Sequence, residues 1–424
     1  MPFEARFIRV INQGGPHEPP FEYGGMRMAR VAIRGCEDYE YGAVKEALGG
    51  ALAAIGGLEQ IKDGSKVIIK ANLVSMAKPD DAVTTHPALL CALVELLKEK
   101  HCTVIIGDSP GGLYNAAHLD RVYSATGMKD AVAKGAELNR DFSHAETRFD
   151  GAAVAKVFEY TSYLDGADHI INFCKLKTHG MMAMSCAVKN MFGVVPGVFK
   201  PEYHYKYPNY EDFANMLIDL NEYFKPSLCI VDAVVGMEGN GPTMGEPRRI
   251  GALLASRDPY ALDVCCAHLI GLKSEDVPTV VESHRRGLTP MNVSEIDVDG
   301  DVERFVVPDY KILPTKSSLQ FGKGSNKFLN FISPIADRCL RSRPILKEDV
   351  CIGCGKCASI CPAKAITMKS SKANQKGLAP RIKKSVCISC FCCQEFCPVG
   401  ALKVHRPIIA RIINRTSRAK KSKE

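Results

Sequence analysis

The feature that most constrains this 424-residue chain is a cysteine pattern near its end that occurs twice. Residues 351–362 read Cys351-Ile-Gly-Cys354-Gly-Lys-Cys357-Ala-Ser-Ile-Cys361-Pro362. Residues 387–398 read Cys387-Ile-Ser-Cys390-Phe-Cys392-Cys393-Gln-Glu-Phe-Cys397-Pro398. A shift of 36 residues (387 − 351) superimposes four cysteines and the proline, and also places Ile352 on Ile388 and Ala365 on Ala401. The segment is therefore an internal duplication. Nine of the 18 cysteines fall between Cys351 and Cys397, and of these nine only Cys392 fits neither register.

Both copies have the spacing Cys-x2-Cys-x2-Cys-x3-Cys-Pro, in which three cysteines on a tight loop can each reach a different iron of one cubic cluster. The fourth, carried onto the following helix, points to the neighbouring cube. Two [4Fe–4S] clusters follow, one on Cys351, Cys354, Cys357 and Cys397, the other on Cys387, Cys390, Cys393 and Cys361. Zinc held by four thiolates would use two Cys-x2-Cys pairs and leave cysteines over. Cys392 is expected to be a non-ligand. This segment resembles the two-cluster bacterial ferredoxins along its whole length and implies a small α+β module that carries electrons.

Charge divides the chain in the same place. Residues 344–403 hold ten Lys/Arg and three Asp/Glu, and residues 405–424 hold seven and one. With a net charge of +8 overall, those +7 and +6 leave −5 for residues 1–343. Many free ferredoxins are acidic, so a basic cluster module is a departure from that family. It would attract an acidic donor such as a ferredoxin or flavodoxin, or else it only offsets the charge of the clusters. No nucleic-acid partner is expected. No run of 18 apolar residues is present, and the N-terminus carries an acid and lacks an apolar core, so a cytoplasmic protein without a transmembrane segment is expected. The tail at 406–424 could form a basic amphipathic helix that packs on its own domain or touches a membrane surface weakly.

The first 300 residues alternate β-branched runs with helical patterns, which predicts an α/β domain with an open, mostly parallel sheet and flanking helices. Strands are expected at Lys66–Lys70, Thr103–Gly107, 169–173, 228–232 and 250–255. Helices are expected from Pro87 to about Lys100, over 259–270 behind Asp258, and around 184–192, ending at Gly193. The expected organisation is an α/β domain over 1–306, a linker over 307–343 whose segment 330–340 could be a docking helix, the cluster module over 344–405, and the tail.

The strand ends collect polar residues: Lys70 and Asn72, Asp108-Ser109-Pro110-Gly111, Lys177-Thr178-His179, and Lys189-Asn190-Met191-Phe192-Gly193. Ligands of an open α/β sheet sit outside the carboxyl ends of its strands, so these residues mark a candidate site. With Thr85-His86-Pro87 opening a helix, the set resembles domain-of-unknown-function family 362 over about residues 30–300. Fusion to a two-cluster ferredoxin recurs in that family, whose chemistry is largely undefined. A remote likeness to the lactate racemase catalytic subunit, through the Thr-His-Pro start, is analogy only.

Roles follow from residue type. Lys177, His179 and Lys189 could bind an anion or pass protons, on a loop after the third strand; Asp108 could work in catalysis or accept loop amides; His86 could be catalytic or a capping neighbour. Lys70, Asn72 and Asn190 are candidates for holding a cofactor. A flavin or nickel cofactor is neither indicated nor excluded, and the Gly107–Gly112 segment lacks the spacing of a nucleotide loop. Cys265 and Cys266 read as core, and Cys174 and Cys186 as buried small hydrophobes rather than reactive thiols. The expected function is an oxidoreductase fed with low-potential electrons through the clusters. The rivals are a carrier or docking subunit for a partner enzyme, and a redox-linked cofactor-maturation protein.

Overall fold

The computed structural model describes residues 30–313 and 342–405, except 373 and 375, together with a short strand pair at Glu22–Tyr23 and Met26–Arg27. The segment expected to hold a docking helix and the tail expected to be amphipathic lie outside the described residues.

The large domain is built on nine strands: β1 (Arg30–Gly35), β2 (Lys66–Lys70), β3 (Thr103–Gly107), β4 (Glu137–Leu138), β5 (His169–His179), β6 (Ala183–Ser185), β7 (Leu228–Glu238), β8 (Glu246–Ser256) and β9 (Asp297–Asp299). They lie in the order β9-β1-β8-β7-β5-β2-β3-β4, with β6 folded back on β5. The pairs β7-β5, β5-β2, β2-β3, β3-β4 and β9-β1 are parallel, and only the pairs made by β8 and β6 are antiparallel. This is an open, mostly parallel sheet.

Both faces of such a sheet must be covered, which is why its strands read as continuous apolar runs. In β2, Val67 and Ile69 pack under helices α1 (Tyr41–Ala54) and α2 (Pro87–Glu99), while Ile68 points the other way toward the helix α3 (Tyr210–Phe224). Helix α2 is capped by His86, whose Nδ1 accepts from the Ala88 N–H at 3.3 Å. Helix α4 (Pro259–Leu269) is capped by Asp258, whose Oδ1 accepts from Tyr260 and Ala261. Cys265 and Cys266 are buried on α4, and Cys174 and Cys186 are buried with their sulfurs 3.9 Å apart.

Two expected boundaries are corrected. Strand β5 does not end at residue 173 but runs on through His179, and β7 runs on to Glu238 past a bulge between Ala233 and Val235. The Lys177 and His179 placed on a loop are thus strand residues. The Lys-Leu-Lys-Thr-His alternation is a period-two pattern, and polar residues can continue a central strand when they find buried partners. The helix expected around 184–192 is a strand, a single helical turn at Ala187–Asn190 and a 3-10 turn at Met191–Val194. Beyond residue 306 the chain still packs on the domain. The Val307 N–H bonds to Leu269, and the Lys311 carbonyl accepts from Gly239.

The small module pairs β10 (Arg343–Leu346) with β13 (Leu402–His405) and β11 (Ile366–Ser370) with β12 (Leu378–Ile382), with one helical turn at Lys356–Ser359 and another, α5, at Cys392–Glu395. It docks at the carboxyl ends of the large sheet. The Gln394 amide donates to the carbonyls of Asn240 and Gly241 at 3.0 Å, and the Thr243 hydroxyl to that of Glu395 at 2.8 Å. Phe391 packs on Gly180 and joins the core beside Met181 and Phe192. Among the described residues no helix is long and apolar enough to cross a membrane.

Candidate functional site

Strands β2, β3 and β5 run side by side, so their ends deliver Lys70, Asp108 and Lys177 to one place. The Asp108 carboxylate accepts from the Leu73 N–H at 2.7 Å and the Ser109 N–H at 2.9 Å, and faces the Lys70 ammonium at 2.8 Å. Lys70 also donates to Ala71 O at 2.6 Å and to Asn190 Oδ1 at 3.2 Å. Asn190 receives the Asn72 amide at 2.8 Å and gives its own to Asn172 at 2.8 Å. Asn72 Oδ1 in turn accepts from Lys177, which also donates to Val83 O, both at 2.7 Å. The sequence candidates Lys70, Asn72, Asp108, Lys177 and Asn190 therefore form one buried network. Burial, and then the nearby charge of Lys189, lower the Lys177 pKa to about 7.

A cavity of about 50 Å³ opens against this network, bounded by Asn72, Asp108, Ser185, Lys189, Lys200 and His204 on the large domain. Its remaining wall is Cys392, Glu395 and Phe396, from the cluster module. Lys189 has no hydrogen-bond partner among the described residues; its ammonium lies 5.9 Å from the centre of the Phe192 ring. Lys200, 5.7 Å from the same ring, donates to the Ser109 carbonyl, and burial lowers its pKa to about 8. The His204 ring stacks on Phe213 at 4.4 Å and leaves Nδ1 unpartnered; burial drives its pKa down to about 3.

His179 ends β5 at the same wall. Its Nδ1 accepts from the backbone of Met181 and Met182 at 3.1 Å, so the neutral ring carries its proton on Nε2, which stands 3.8 Å from Glu395. Burial, followed by Lys189, lowers its pKa to about 4. Burial alone would raise the Glu395 carboxyl, but His179, Lys189 and His204 outweigh it and hold the group well below the usual carboxylate range.

His86 is not part of this cavity. It lies near the Lys175–Asp232 ion pair, closed at 2.6 Å, with its ring stacked 3.5 Å from Tyr39 and its backbone N–H donated to Asp232. Tyr39 donates to the same carboxylate at 2.8 Å. That knot fixes the start of α2 against the bulged strand β7, so the capping role fits what His86 does there. Lys200, His204, Ser185 and Glu395 were not anticipated. Only Glu395 carried a signal, being the sole acid between Cys351 and Glu424 in a basic segment.

The two cysteine sets line two separate apolar hollows. Cys351, Cys354, Cys357 and Cys397 surround one, beside Leu346, Met368 and Leu402. Cys361, Cys387, Cys390 and Cys393 surround the other, beside Ile366 and Phe391. The duplication is visible in the backbone: the Ala365 N–H points at Cys361 Sγ and the Ala401 N–H at Cys397 Sγ, both at 3.2 Å. Among the described residues no three His, Cys, Asp or Glu side chains converge as on a single ion. Separate all-thiolate hollows with amides aimed at sulfur fit a cluster, whose charge such amides stabilise. Cys392 lines both the second hollow and the cavity.

Comparison with known proteins agrees with this division. A thylakoid-associated protein of Synechocystis sp. is 29% identical over 300 residues, 69% of this chain and 90% of its own length. Among solved structures, the lactate racemase apoprotein of Thermoanaerobacterium thermosaccharolyticum matches with a TM-score of 0.36 at 11% identity, and the match covers 56% of this chain and 55% of that one. A Thermotoga maritima protein matches with a TM-score of 0.31 at 12% identity, over 52% of this chain and 56% of its own. The matches thus span just over half the length of those two structures. Residues 67–268 match the domain of unknown function DUF362, and residues 350–401 match the 4Fe-4S dicluster domain. The chain joins a domain of the DUF362 family to an iron–sulfur electron-transfer module of the 4Fe-4S dicluster family.

Proposed function

We propose that this protein is an oxidoreductase that acts on a small substrate held in the cavity between its two domains. When bound, the two clusters would supply single electrons at low potential, with Cys351, Cys354, Cys357 and Cys397 holding one and Cys361, Cys387, Cys390 and Cys393 the other. The observation that carries the reading is the shared wall: Cys392 borders the second cysteine hollow on one side and the cavity on the other. A module that only relayed electrons to a partner would gain nothing from facing two lysines across a cavity. The lysines bind and orient the substrate, Lys177 with its lowered pKa lies one hydrogen bond behind the wall through Asn72, and Phe192 and Phe396 exclude water. The module's excess of cations supports an acidic electron carrier, such as a ferredoxin or flavodoxin, as the donor.

The test is anaerobic. The full chain, reconstituted and reduced with dithionite, is mixed with the small-molecule fraction of a cell extract, and its reoxidation is followed by visible absorption. Reoxidation by a component of that fraction, slowed at least tenfold in Lys189→Met at equal iron content, supports the reading. Equal rates in both proteins favour the carrier reading instead.

A further inference from the structure

We propose that the cavity binds a small, singly charged oxyanion such as a carboxylate, gripped by Lys189 and Lys200. The inference rests on the reading of the cavity as the substrate site and names the class of ligand it takes.

Charge decides the sign. The cavity wall holds five titratable side chains other than Cys392: Asp108, Lys189, Lys200, His204 and Glu395. Asp108 is neutralised by Lys70 at 2.8 Å and by two backbone amides. His204 is kept neutral by burial. That leaves Lys189 and Lys200 against Glu395, whose nearest partner is His179 at 3.8 Å. The wall therefore carries a net charge of about one positive unit, and Lys189 lacks any hydrogen-bond acceptor among the described residues. Lys189 is partly buried, and a ligand that supplies an acceptor to an ammonium partly withdrawn from water is favoured. One negative charge balances the wall; a second would meet Glu395 without a matching cation.

Size narrows the class further. About 50 Å³ corresponds to a few water-sized positions, since a single buried water needs roughly 10–15 Å³ on this measure, so a carboxylate or a similar three- to five-atom group fits and a nucleotide does not. The Ser185 hydroxyl on the wall and the unpartnered His204 Nδ1 offer further polar contacts.

Isothermal titration of the reconstituted full chain with acetate, with nitrite and with inorganic phosphate tests the proposal. Acetate and nitrite should each bind once, phosphate more weakly, and Lys189→Met should weaken acetate about ten- to a hundredfold, the loss expected for one charge-assisted contact. Lys189→Arg should restore most of the affinity. Phosphate binding tighter than acetate, unchanged binding in Lys189→Met, or no monoanion binding at millimolar concentration would overturn it. Acetate binding lost in Lys189→Met without any change in reoxidation rate would leave this inference intact and remove the redox reading.

Discussion

The carboxylate of Glu395, on the cluster module, stands 3.8 Å from Nε2 of His179, the last residue of an 11-residue strand arriving at the site from the other domain. Two residues before Glu395 is Cys393, which lines the second cysteine hollow. A side chain of the cavity wall and a cysteine that would hold iron are thus fixed to the same helical turn, and any shift of that turn moves both.

The docking of that turn depends on close approach. A Cβ at Gly111 would collide with the Phe396 ring. Gly111→Ala should therefore loosen the module from the sheet while leaving its cysteines untouched. Hydrogen exchange is expected to rise at residues 180–184 and 240–243, with iron content unchanged. Exchange equal to the wild type would show that Phe396 yields without cost.

Lys177 and Lys189 should behave differently. Lys177→Ala leaves Asn72 Oδ1 and Val83 O without their donor in a site sealed from solvent, and should cost about 2–5 kcal/mol of stability. Lys189→Met removes no hydrogen bond and should change the urea midpoint little while impairing anion binding. Similar midpoints for the two variants would contradict the network.

Burial lowers the His204 pKa to about 3, so the folded protein keeps the ring neutral while the unfolded chain protonates it below about pH 6.5. The unfolded state then binds more protons, and the contribution to stability is lost as pH falls. His204→Phe, isosteric with the stack on Phe213, should remove that term, so that between pH 7 and pH 5 the wild type loses about 2 kcal/mol more than the variant. Anaerobic urea titrations at the two pH values measure it; parallel losses would mean that the buried ring is already charged.

Two cubic clusters require about eight irons and eight sulfides per chain. Anaerobic reconstitution followed by iron and sulfide analysis should give these values, and Cys392→Ser should leave them in place. A count near four, or loss of iron in Cys392→Ser, would reassign the ligands.

The cluster module was legible in the sequence because its constraint is local: three cysteines on one loop must reach one cube, so spacing alone states the chemistry. Strands Lys66–Lys70 and Thr103–Gly107 were legible to the residue, since each is a short run of β-branched apolar residues bounded by polar or turn residues. The same rule misled at 173, because β5 continues with lysines that pair inside the protein, and a single sequence does not show that Lys175 will meet Asp232 or Lys177 will meet Asn72; β7 runs on past 232 through a mostly apolar stretch interrupted by a bulge between Ala233 and Val235. Tertiary structure also decided which strand-end residues meet. It set His86 apart in its own knot, and it brought Lys200, His204 and Glu395, which belong to no motif, into one wall. Local spacing encodes a loop's chemistry, whereas a wall made by two domains exists only once the chain has folded and the charges buried there have found, or failed to find, their partners.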